Sequence, residues 1–68
     1  MSARDLKKGD QIRHKLSGMV VAFAGIDGTC AQLLRKGETQ PNGWRLWYVH
    51  EDFEHEDGTP ITPWERWA

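Results

Sequence analysis

The sequence predicts an all-β domain of about five short antiparallel strands. Three observations carry that expectation. Glycine-centred turn signals recur at short intervals, the segments between them alternate apolar and polar residues, and the longest of those segments are rich in branched and aromatic side chains.

Lys8-Gly9-Asp10 makes the entry turn. Ile12, His14 and Leu16 then alternate with Gln11, Arg13 and Lys15, the period of a strand with one wet face. After the Ser17-Gly18 turn, Met19 to Ile26 is almost wholly apolar, so it reads as the central strand, buried on both faces. Asp27-Gly28 has the chemistry of a tight type I′ hairpin turn, and Thr29–Arg35 is the returning strand. Lys36 to Gly43 holds no apolar side chain except Pro41 and reads as an exposed loop. Trp44-Arg45-Leu46-Trp47-Tyr48-Val49 reads as a further strand, and His50–Phe53 as a single 3₁₀ turn that drops Phe53 into the core. Thr59-Pro60-Ile61 is at most a short edge strand, because Pro60 lacks an amide donor. In the tail, Thr62, Pro63 and Glu65 have the spacing of a capping box, which predicts one helical turn with Trp64 and Trp67 facing the same way.

At 68 residues the chain is one domain, 1–68, with an N-terminal arm over 1–7 and an aromatic tail over 62–68. A chain of that size buries only about 60% of the surface it exposes when unfolded. The lone Cys30 excludes an internal disulfide and reads as a small buried hydrophobe, which leaves self-association as the way to add buried surface. The N-terminus lacks the apolar stretch of an export signal, and the longest apolar run is far below the roughly 20 residues of a membrane span. The expectation is a cytoplasmic homo-oligomer with no membrane contact.

Charge is segregated along the chain. Through Gly37 seven Lys or Arg oppose three acids, and from Glu38 onward two oppose seven. The pattern permits a basic and an acidic face for subunit contacts or ligand steering, or charges that mix once the strands interleave.

Gly9-Asp10-Gln11-Ile12-Arg13, followed by Lys15-Leu16-Ser17-Gly18, resembles the opening of the plasmid-borne type B dihydrofolate reductases, which begin with Gly-Asp-x-Val-Arg and then Lys-Ser-Gly. Pro41-Asn42-Gly43-Trp44-Arg45-Leu46-Trp47-Tyr48-Val49 and Phe53-Glu54 fall where that family has Pro-Gly-Ser-Val-Gln-Ile-Tyr-Pro-Val and Leu-Glu. Small bacterial barrel proteins of unknown role share the same entry and aromatic strand. The resemblance implies a small SH3-like barrel of about five strands with a one-turn C-terminal helix. For the reductases it also implies a homotetramer whose central pore binds dihydrofolate and NADPH. The pore segment corresponds to Trp44-Arg45-Leu46-Trp47, with no identical position, and the family's lysine corresponds to His14. Four copies of Arg45 would repel one another in such a pore, and indoles would fill the space of the cofactor.

No residue pattern marks a catalytic site. His50–Asp57 mixes histidine with carboxylates but lacks the Cys/His spacing of structural zinc sites, and reads as a solvated acidic turn. Cys30 has no neighbouring base, and no glycine-rich loop leads from a strand into a helix. Arg13, Lys15, Arg35 and Lys36 could track a nucleic-acid backbone with Trp44 or Trp47 as a stacking surface, against a mildly acidic pI of about 6.3. If Trp44–Val49 is extended, Trp44, Leu46 and Tyr48 share one face and Arg45, Trp47 and Val49 the other. Either the Trp64/Trp67 tail covers one of those faces or a partner does. The reading is a non-enzymatic binding module that self-associates and recognises a protein or nucleic-acid partner through Trp44, Arg45, Trp47, Tyr48, Trp64, Trp67 and Arg13, with no catalytic residue, metal or cofactor. The alternative is a divergent NADPH-dependent dihydrofolate reductase.

Overall fold

A computed structural model describes residues 2–67; the outermost residues of the arm and the tail, Met1 and Ala68, lie outside the described residues. Strands β1 (Gln11–His14), β2 (Val20–Asp27), β3 (Cys30–Arg35) and β4 (Asn42–Arg45) form an antiparallel meander. A helix, α1 (Leu46–Asp52), follows, and β5 (Phe53–His55) returns to pair antiparallel with β1. The single sheet runs β4-β3-β2-β1-β5, so the chain is a small all-β fold of five antiparallel strands, and Trp64–Arg66 form a one-turn 3₁₀ helix at the C-terminus.

Alternation builds the core. Ile12 on β1, Val21 and Phe23 on β2, and Ala31 and Leu33 on β3 all turn inward and are buried with Leu6, Leu46, Val49, Phe53 and Ile61. β2 is the central strand, as its composition predicts, but it is buried on one face only, with Val20 exposed on the other. A single curled sheet has one inside, so the small residue Ala22 faces outward, and among the described residues no second layer lies over it.

The β2–β3 hairpin also differs from expectation. Asp27 pairs with Cys30, so the two central residues are Gly28 and Thr29. Gly28 alone has positive φ (62°), the pattern of a type II′ turn rather than I′, and one that Thr29 tolerates. Between Phe23 and Gly25 the register shifts by a bulge, and Gly25 absorbs it at φ 129°.

The largest correction concerns Trp44–Val49. Trp44 and Arg45 end β4, and the chain then coils into α1 instead of staying extended through Val49. Leu46, Val49 and Phe53 recur at helical spacing and all three are buried, so the coil drives a continuous apolar stripe into the core. Its first amide, on Leu46, donates to the Thr29 carbonyl at 3.1 Å, and the Phe53 amide closes its end on the Val49 carbonyl. No side chain caps its start, so packing rather than local propensity holds this seven-residue helix. The 3₁₀ turn expected at His50–Phe53 is thus the last part of α1 followed by the first residue of β5.

In the tail, the helical turn forms but the capping box does not. Pro63 occupies the N-cap with no side-chain hydrogen bond, and the Thr62 hydroxyl donates instead to Asp5 in the N-terminal arm. Thr59–Ile61 gives only isolated bridges, Pro60 to Glu54 and Ile61 to Arg4.

Asp57 anchors that last segment. It accepts from the Thr59 hydroxyl and the Thr59 amide, and the Arg4 guanidinium sits 3.2 Å away; together these hold its carboxyl well below the ordinary carboxylate range. Its folded pKa lies below its unfolded value, so the stabilisation is complete above about pH 4 and is lost as the pH falls through the folded value. The expected result is that wild type loses thermal stability on acidification below about pH 4 more steeply than Asp57→Asn. Parallel acid limbs for the two proteins would contradict it.

Candidate interaction surface

The seven candidate residues do not form one site. Trp44, Trp64 and Trp67 are half-buried against the core, Arg13 lies on the outer sheet face, and Arg45, Trp47 and Tyr48 gather on the outside of α1.

Trp44 comes from the end of β4 and turns inward. Its ring meets Phe53 edge-on at 5.2 Å and His14 at 5.8 Å, and its indole N–H donates to Asp52 at 3.3 Å. His14, where the resemblance puts a lysine, is committed locally: its Nδ1 accepts from the amides of Leu16 and Ser17, which leaves the ring proton on Nε2. Trp44 and Phe53, with Met19, Val21 and Leu33, line an apolar hollow of about 320 Å³, with Arg35 and Asn42 at its rim. Sequence reasoning missed this hollow, because it lies between residues of four strands that no local pattern connects.

The tail indoles serve the core. Trp67 meets Phe23 edge-on at 5.5 Å and donates its indole N–H to the Thr62 carbonyl at 2.9 Å. Trp64 packs against the same core, and its 3₁₀ turn rests on α1. Arg13 is paired across β1 and β5 with Glu54, its guanidinium 2.7 Å from the carboxylate, and so is not a free determinant for a ligand.

What remains exposed is the outer face of α1. Helical geometry that buries Leu46 and Val49 turns the residues between them outward, and Trp47 and Tyr48 are 39% and 49% exposed. Their rings lie 6.2 Å apart, tilted by 57°, and the Arg45 guanidinium stands 5.7 Å from the centre of the Trp47 ring. That cation–π contact steadies an otherwise free indole by about 0.5–1 kcal/mol. The result is a small aromatic platform with one cation at its edge, suited to cover an apolar group beside an acidic or carbonyl acceptor.

The His50–Asp57 stretch is not one solvated turn. His50, Glu51 and Asp52 end α1, whereas His55 is buried on β5 and its Nε2 donates to the Arg4 carbonyl at 2.9 Å. Among the described residues no group of three His, Cys, Asp or Glu side chains stands close enough to hold a metal ion. Cys30 is half-buried on β3 opposite Arg45, more open than a core hydrophobe. No described helix is long and apolar enough to cross a membrane. Compared with protein-family models, curated proteins and solved structures, the chain matches none.

Proposed function

We propose that this protein is a non-enzymatic binding module that recognises a protein partner through Arg45, Trp47 and Tyr48, and that self-associates. One observation carries the reading: two large aromatic rings stay exposed on α1 beside an arginine, while the other three tryptophans pack on the core. Trp, Tyr and Arg are the residue types enriched at interface hot spots. A protein partner is favoured over nucleic acid because Arg13 and Arg35 are engaged by Glu54 and Glu38. Only Arg45 lends the aromatic platform a cation, whereas a phosphate backbone calls for several. The reductase alternative draws no support from the site, since Leu46, in the segment matched to the pore, is 4% exposed and turned into the chain's own core.

The test is selection of binders from a displayed peptide library, with single-stranded DNA and RNA oligonucleotides as comparators. Selected peptides are expected to lose about thirtyfold in affinity on Trp47→Ala, the loss typical of an anchoring indole, and oligonucleotides are expected not to bind. Peptides that bind Trp47→Ala as well as wild type, or oligonucleotides that outcompete them, would overturn the reading.

A further inference from the structure

The outer face of the sheet holds a second surface, remote in kind from the aromatic platform. Ala22 on β2 pairs with Leu34 on β3 and with Gln11 on β1, and these residues with Val20 floor an open concavity of about 550 Å³. The floor is apolar except for Gln11, and among the described residues no second layer of the chain covers it.

Its two rims carry opposite charge. On the β3 side Arg35 is engaged by Glu38 at 3.7 Å, which leaves Lys36 as the surplus cation. On the β5 side Glu54 is engaged by Arg13, which leaves Glu56 as the surplus anion. Among the described residues neither Lys36 nor Glu56 has an ion-pair partner, and both are exposed. The two rims are separated by three strand spacings, about 14 Å, too far for them to pair with each other directly.

We infer that this face binds a second copy of the same chain, about a two-fold axis that runs parallel to the strands between β2 and β1, at the Ala22–Gln11 pair midway between the two rims. A two-fold axis makes one patch meet itself, so it carries each Lys36 onto the partner's Glu56 rim and stacks the two apolar floors. No other occupant is matched so directly, because the charge pattern is complementary to its own rotated image. The inference rests on the proposal that the chain self-associates, and it names the surface that does so. The patch is smaller than the roughly 800 Å² per partner of a standard interface, so association is weak and depends on concentration.

Sedimentation velocity over a concentration series tests it, on wild type, Lys36→Glu, Glu56→Lys, the double variant and Trp47→Ala. Wild type and Trp47→Ala are expected to dimerise alike. Each single charge reversal is expected to lower the association constant about tenfold, since it turns two attractions per dimer into repulsions, and the double variant to restore it. Circular dichroism guards against a folding artefact, and exposed charge reversals are expected to leave the spectrum unchanged. Wild type that stays monomeric at every concentration overturns both the inference and the self-association it rests on, while leaving peptide recognition by Trp47 intact. Dimers lost on Trp47→Ala but indifferent to the charge reversals overturn this surface alone. Dimers that neither substitution weakens, or a double variant no stronger than the singles, also overturn it.

Discussion

Phe53→Ala is expected to leave most of the chain unfolded at room temperature. Phe53 is 1% exposed and stands where α1 ends and β5 begins, with Trp44 and His14 both edge-on to its ring. Removing a buried phenyl ring costs about 3–5 kcal/mol, through lost burial and the cavity left behind. A domain of 68 residues has about 3–10 kcal/mol of stability in total, so the loss consumes a large share of it. Two further effects add to the cavity. Trp44 loses its ring neighbour, and the hollow it lines with Met19 and Leu33 opens into the vacated space. Urea denaturation followed by tryptophan fluorescence reads the outcome, with Phe53→Leu as the milder comparator. A Phe53→Ala midpoint close to wild type would show that the ring is not a keystone of this core.

The second large effect separates neighbours in sequence. Leu46→Ala and Val49→Ala are expected to be strongly destabilising, by about 2–5 kcal/mol for the leucine, whereas Trp47→Ala and Tyr48→Ala are expected to change stability by about 0.5 kcal/mol or less. The ordering is the signature of a helix, because a strand would pair Leu46 with Tyr48 and Trp47 with Val49 in their sensitivity. Chemical denaturation of the four variants decides between them. Should Trp47→Ala be as damaging as Leu46→Ala, then α1 does not present its outer face to solvent, and the proposed binding platform falls with it.

That pattern also explains what could be read from the sequence and what could not. β1, β2 and β3 were legible because alternation and glycine turns are local signals, and each strand sits within a few residues of its expected bounds. Leu46, Trp47, Tyr48 and Val49 satisfy either period in so short a run. The choice is made by groups far away in the chain, the Thr29 carbonyl that receives the Leu46 amide and the core that Leu46 and Val49 fill. The same holds for Thr62, whose hydroxyl finds Asp5 at the other end of the chain in preference to a nearby backbone amide. For the candidate site, the residue types were readable but their sorting was not. Exposed Trp47 and buried-edge Trp44 differ only in where the chain bends between them.

The way β5 is finished has a consequence for how such sheets could grow. On its outer side β5 already meets Pro60, with the His55 amide donating to the Thr59 carbonyl, and Pro60 offers no donor of its own to a further strand. Among the described residues an incoming chain therefore finds an open ladder only along β4, at the opposite flank. With one receptive border instead of two, pairing border to border ends at two molecules, and an endless ribbon has nowhere to continue.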